Sequence, residues 1–235
     1  MKYQENKRIP KIIHQFWEPE NGNPPSDILL QICETWKGKN PSWDYKLWNS
    51  KNSEHILFED FPWFVERYHS FRYDVQRWDS LRYLILYKFG GVYADMDYEC
   101  LEPLAWLKGV NKCCFGLDPP EHNLIFNKQY IISNAFIAVS PRHPFLSCVI
   151  KEIQNNNSKT DEKLIHVLET TGPYMLSKLY DSYKEKNQIW LIPSELISPI
   201  CTYEVKMIMQ GITTDEIANK IEKAYAVHYF FGSWY

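Results

Sequence analysis

The sequence has no long run of basic residues. Its formal net charge is −3 over 235 residues. That leaves no electrostatic footprint for nucleic acid, a polyanion that calls for clustered Lys and Arg. No apolar run approaches the ~20 residues a membrane-spanning helix needs. The opening stretch MKYQENKRIPKIIHQFW holds no apolar segment of signal-peptide length. None of the six cysteines (Cys33, Cys100, Cys113, Cys114, Cys148 and Cys201) forms a C-x-x-C pair. They read as reduced, mostly buried thiols of a cytoplasmic protein, with peripheral attachment at the inner face of a membrane left open. No internal repeat or low-complexity linker divides the chain, which is expected to form one domain over residues 1–235.

Aromatic residues make up 16% of the chain. They suit a large aromatic core, and equally flat surfaces for stacking on bases or sugars. Along the chain, KIIHQFW (residues 11–17) predicts a first strand. A helix capped by Ser26 or Asp27 follows, running to about Lys37. WDYKLWN predicts a second strand, with Trp43, Tyr45 and Leu47 on its apolar face. From Asp74 to Phe89 a helical stripe of Val75, Trp78, Leu81, Ile85 and Phe89 points to a core helix, closed by Gly90 at its C-terminal cap. GVYAD, NKCCFGL, YIISNAFIAVS and QIWLIPSEL read as further strands. PRHPFLSCVIKEIQ and the stretch after TGP read as helices, and AYAVHYFFGSWY closes the chain. Interleaved strands and helices place the protein in the α/β class.

The stretch KFGGVYADMDYEC carries two aspartates one residue apart at a strand end. In extended backbone, residues i and i+2 share a face at about 6.6 Å along the strand. Asp95 and Asp97 can therefore aim at one point while Met96 turns into the core. Two converging hard oxygens suit Mg²⁺ or Mn²⁺. Taken alone, D-x-D also fits two solvated acids at a strand end. Asp79 and Arg82 lie three apart on the preceding helix, and Gly90–Gly91 permits a sharp bend from helix to strand. A third carboxylate and a guanidinium are thus expected near the pair.

WDSLRYLILYKFGGVYADMDYEC resembles the signature of DXD-containing glycosyltransferases of family 32. These include bacterial capsule and lipopolysaccharide sugar transferases and yeast initiating α-1,6-mannosyltransferases. The same D-x-x-R then D-x-D pattern marks the large clostridial glucosylating toxins. IPKIIHQFWEPENGNPP, NPSWDYKLWN, NAFIAVSPRHPF, TGPYML and HYFFGSW resemble other blocks of the family in order, over nearly the whole chain.

The resemblance implies a GT-A type nucleotide-sugar-binding fold: a mostly parallel central sheet flanked by helices, with the nucleotide at the C-terminal ends of the strands. It implies a metal-dependent, retaining transfer of a hexose from a nucleotide sugar to a glycan or glycolipid hydroxyl. The donor is a UDP-hexose ahead of GDP-mannose, and the setting is bacterial surface polysaccharide synthesis. Asp95 and Asp97, with His228, then hold Mn²⁺ or Mg²⁺; His228 fits equally as a packed strand histidine. Asp79 and Arg82 contact the donor sugar and, with Asp97, form the catalytic set, although an i,i+3 ion pair explains the first two as well. Trp17 stacks on the nucleobase or belongs to the core. Asn134 lies near the donor sugar, and Ser233 and Trp234 fold over the diphosphate. Gly172 and Pro173 form an acceptor-side turn or a simple loop.

Two other functions share these features. A HAD-type Mg²⁺ phosphatase also uses D-x-D, but near its N-terminus and with Thr or Val where Glu99 stands here. A non-catalytic nucleotide-sugar or carbohydrate binding module would keep the same residues without turnover.

Overall fold

The computed structural model describes residues 8–18, 24–158 and 160–232. Six strands form the main sheet: β1 (Ile12–Phe16), β2 (Asp44–Trp48), β3 (Gly91–Ala94), β5 (Cys113–Leu117), β6 (Ile132–Val139) and β7 (Ile189–Ile192), in the order β2-β1-β3-β6-β5-β7. Only β6 runs against the others. Two short strands, β4 (Tyr98–Cys100) and β8 (Ala226–His228), pair antiparallel beside it.

Strand alternation divides the core into two layers. Tyr93, Phe115, Ile137 and Val139 face one apolar cluster, which contains the central helix Asp74–Phe89 and the helix Pro144–Asn155. Val92, Ala94, Cys114, Phe136 and Ala138 face the other, which is closed by Trp36 of the helix Asp27–Lys39 and by Tyr98 of β4. Both sheet faces are therefore covered, as a largely parallel sheet requires.

The central helix starts where the Gln76 side chain accepts the Tyr73 N–H at 3.1 Å. Its stripe is broader than the sequence pattern indicated: Tyr83, Leu84 and Leu86 are buried along with Leu81 and Ile85. The helix lies between the sheet and other helices, so almost every side is covered. It ends at Gly90, whose N–H donates to Leu86 O at 2.8 Å with φ +63°. Gly91 then lets β3 lie tight against β1, since a Cβ there would meet Ile12 O at 2.5 Å. Around β2 the expected apolar face holds for Trp43 and Tyr45, which pack on the second cluster, but not for Leu47. Leu47 is 41% exposed, while Trp48, at 6%, enters the core and donates its indole N–H to His14 Nδ1. β2 is an edge strand, so its outer positions tolerate an apolar residue. The segment expected as one long strand after Gln188 stops at Ile192 and passes into a short helix, Ser194–Ile197. Five of the six cysteines are buried and all are free.

Candidate active site

The C-terminal edge of the parallel strands bounds an open cleft of about 780 Å³. That volume suits a small ligand or cofactor. Trp17 follows β1, Asp95 follows β3, Asp118 follows β5, and Asn134 lies at the start of the reversed β6. All four line the cleft, together with Asp79, Arg82, Asp97 and His228.

The aspartate pair does not sit in extended backbone as expected. β3 ends at Ala94, and Tyr98 N–H donates to Asp95 O at 3.0 Å, so Asp95–Met96–Asp97 form a turn into β4. The carboxylates converge through that turn rather than through strand alternation, and Met96 is buried as anticipated. β8 pairs with β4 and sets His228 opposite Tyr98. One ligand atom from each of Asp95, Asp97 and His228 then lies within 4.8 Å of the others. His228 Nε2 is 3.3 Å from Asp97 Oδ1, and its ring stacks on Tyr98 at 4.5 Å. The histidine is thus both packed and part of the acidic group.

Arg82 ties the central helix to this turn. Its Nη2 is 2.9 Å from Asp79 Oδ1, its Nη1 is 3.1 Å from Asp95 Oδ1, and it donates to Asn134 O at 2.8 Å. Asp79 Oδ1 also accepts from Asn134 Nδ2 at 2.9 Å, and its Oδ2 accepts from Thr171 Oγ1 at 2.8 Å. Tyr93 donates its hydroxyl to Asp95 Oδ1 at 2.8 Å and lies under the guanidinium, 4.7 Å from Arg82 Cζ. The i,i+3 ion pair is therefore real, and it faces the cleft.

Burial and charge act in opposite senses here. Burial raises the pKa of Asp79 and Asp95 despite Arg82 beside both. Burial also pushes Asp97 up, but the charge and hydrogen bond of His228, with the Phe231 N–H, outweigh it and hold the carboxyl below its usual range. Burial pulls His228 down, yet Asp97 prevails and the imidazole is left more basic than normal.

Trp17 is half-buried, and its indole N–H has no partner among the described residues. It lines the cleft rather than belonging to the core. Gly172 caps the helix Pro173–Ser182, and Pro173 reaches the cleft wall. Ser233 and Trp234 lie outside the described residues. The segment just before them is fastened to the site: Phe231 N–H donates to Asp97 Oδ2 at 2.8 Å and Tyr229 N–H to Asp97 O at 3.0 Å. A second acidic group, Glu121 and Glu204 beside Cys201, already holds a cation, because Lys220 lies 2.7 Å from Glu204 and 3.9 Å from Glu121.

Sequence reasoning did not find Tyr93, Thr171, Asp118, His122 or Phe230. Asp118 alone left a usable signal, as an acid followed by two prolines directly after a predicted strand.

Residues 26–114 match the family described as the glycosyltransferase sugar-binding region containing a DXD motif. Over 179 residues the chain is 31% identical to inositol phosphoceramide mannosyltransferase 1 of Schizosaccharomyces pombe, covering 76% of this chain and 53% of that protein. It is 25% identical over 193 residues to the lactosylceramide 4-alpha-galactosyltransferase of Rattus norvegicus, covering 73% of this chain and 46% of the relative. The chain thus spans about half the length of these two relatives. Among solved structures, the PaToxG glycosyltransferase superposes with a TM-score of 0.53 at 17% identity, over 93% of this chain and 89% of that one. The likeness confirms the GT-A type architecture.

Proposed function

Given that the chain is a relative of the DXD-containing glycosyltransferases, we propose that it is a metal-dependent, retaining hexosyltransferase. It moves a sugar from a UDP- or GDP-linked donor to a hydroxyl of a glycan or glycolipid. The observation that carries this reading is the meeting of Asp95, Asp97 and His228 at the cleft, beside the Asp79–Arg82 pair. Relatives named for ceramide-linked substrates favour a glycolipid acceptor over the surface polysaccharide of the first expectation. One domain acting at the cytoplasmic side, with peripheral contact to a membrane surface, completes the reading. Among the described residues no helix is long and apolar enough to cross a membrane.

The donor set fits a divalent ion. Two carboxylates and an imidazole approach one point, and the buried His228 Nδ1 has no partner among the described residues. Carboxylates suit Mg²⁺ or Mn²⁺, and the imidazole tips the balance toward Mn²⁺. Such an ion, when bound, neutralises charge on the leaving diphosphate. The remaining work falls to the chain. Trp17 offers an aromatic face at the nucleotide end. Asp79 and Asn134, held by Arg82 and Thr171, present a fixed polar wall to the donor sugar. Fixed geometry is what proximity catalysis requires. Donor hydrolysis in Mn²⁺, lost in chelator, is the expected result. Donor binding without any turnover in Mn²⁺ would leave a binding module instead.

A further inference from the structure

We propose that Asp118 is an acceptor-binding residue: its carboxylate receives the hydroxyl that takes the transferred sugar. It lies at the base of a subsite whose mouth, formed by Ile125, Phe126, Tyr174 and Tyr203, takes the apolar part of an amphiphilic acceptor. The proposal rests on the transferase reading above and deepens it.

The other acids of the cleft are already engaged. Asp79 accepts from Asn134 and Thr171, Asp95 from Tyr93, and Asp97 from Phe231 N–H. Asp118 differs. Its backbone is pinned, with its N–H donating to Ile131 O at 3.0 Å. Its side chain is only 15% exposed, yet among the described residues no hydrogen bond reaches the carboxylate. The nearest cation-forming group is His122 Nδ1 at 3.8 Å. The Thr202 N–H donates to His122 Nε2 at 3.0 Å. A backbone N–H can only donate, so Nε2 is unprotonated and the ring hydrogen sits on Nδ1, on the Asp118 side. A carboxylate has about four lone-pair positions. Most of those on Asp118 are spare and open to the cleft, where a sugar hydroxyl can occupy them.

The location suits the second substrate. Phe230 packs 3.9 Å from the His228 ring and, edge-on, 4.7 Å from His122. One aromatic ring therefore separates the acidic group that faces the donor from the Asp118–His122 pair. Phe230 itself holds φ +49°, a conformation costly for a bulky residue and frequent at functional sites.

The mouth is apolar and open. Leu124, Ile125 and Tyr203 are 82%, 71% and 71% exposed, and Met209 is the only other large apolar side chain above two thirds among the described residues. Leu124 and Ile125 end the helix Pro120–Ile125, while Tyr203 lies in the first turn of the helix Thr202–Met209; the His122–Thr202 contact joins the two. Ile125, Phe126 and Tyr203 all line the cleft, and Phe126 meets Tyr174 edge-to-face at 5.9 Å. An apolar rim continuous with a polar hydroxyl site matches a molecule that is sugar at one end and apolar at the other.

The test measures nucleotide release in Mn²⁺ from UDP-glucose, UDP-galactose and GDP-mannose. Release is followed in water alone and with methyl or n-octyl glycosides of mannose, galactose and glucose. Octyl glycosides should stimulate release at concentrations at least tenfold below their methyl counterparts, and Ile125→Ser should erase that difference. Asp118→Asn, which keeps the side-chain shape, should lower the ratio of transfer to hydrolysis at least tenfold and raise the acceptor KM. An unchanged ratio overturns the proposal. So does an equal fall in hydrolysis and transfer, which would put Asp118 on the donor side. Octyl glycosides no better than methyl ones overturn the apolar mouth. A wild-type protein that releases no nucleotide from any donor contradicts the transferase reading, and the proposal with it.

Discussion

Arg82 Nη1 lies 3.1 Å from Asp95 Oδ1, joining the middle of the central helix to the turn after β3. The same guanidinium holds Asp79 at 2.9 Å, with side chains only 8% and 5% exposed. Removing one member of a buried charged group leaves the rest unpaired, which typically costs about 3–5 kcal/mol. Arg82→Ala is therefore expected to lower unfolding stability by about that much in denaturant titrations, besides impairing donor binding. Unchanged stability would mean that the carboxylates find other partners without it.

Trp17 contributes a half-buried ring to the cleft wall. Trp17→Ala should weaken nucleotide binding by about 1–3 kcal/mol, the range for base stacking on an aromatic ring. Melting without nucleotide should barely move. A large loss of stability at unchanged nucleotide affinity would make Trp17 a packing residue.

His14 is buried in β1 with both ring nitrogens used. Nε2 bonds to Gly90 O at 2.9 Å, and Nδ1 accepts the Trp48 indole N–H at 3.0 Å. A proton on Nδ1 would face another N–H. Burial accordingly lowers its pKa from 6.5 to about 4. Between those values the unfolded chain binds a proton that the folded chain refuses. The His14 contribution is thus complete above pH 6.5 and lost as pH falls toward 4. It amounts to about 3 kcal/mol. His14→Gln should flatten stability over that window relative to wild type, and a ring titrating near 6.5 by NMR would contradict the assignment.

Gly91 and Gly109 both hold positive φ, at +103° and +82°. A Cβ on Gly91 would sit 2.5 Å from Ile12 O, whereas one on Gly109 would meet nothing within 4 Å. Gly109→Ala should cost only about 1 kcal/mol of backbone strain. Gly91→Ala should cost more than about 2 kcal/mol, because it also forces β3 away from β1. Equal effects in thermal melts would remove the argument from strand proximity.

Much of this site could be read from short-range spacing. Asp79 and Arg82 are one helical turn apart, and a glycine pair leads straight to Asp95 and Asp97, so local geometry brings them together. His228 was legible only through the family resemblance, since the β4–β8 pairing that delivers it is long-range. Thr171 and Tyr93 reach the cleft by helix docking and strand order, which no local pattern encodes, while Asp118 left only its place between a predicted strand and two prolines. Leu47 alone left the expected apolar face, because an edge strand does not enforce alternation. The turn at Asp95–Asp97 was missed because a hydrogen bond from Tyr98 to Asp95, rather than strand propensity, decides the backbone there.

The central claim is that Asp95, Asp97 and His228 form a divalent-metal site that assists departure of the donor diphosphate. The most direct test is Mn²⁺ binding by isothermal titration, run beside donor hydrolysis, for wild type and Asp97→Asn. Wild type is expected to bind Mn²⁺ and to lose hydrolysis in EDTA, recovering it when Mn²⁺ is restored. Asp97→Asn should stay folded, bind Mn²⁺ at least tenfold more weakly and hydrolyse donor correspondingly less. Full hydrolysis in EDTA, or undiminished Mn²⁺ affinity in Asp97→Asn, would contradict the account.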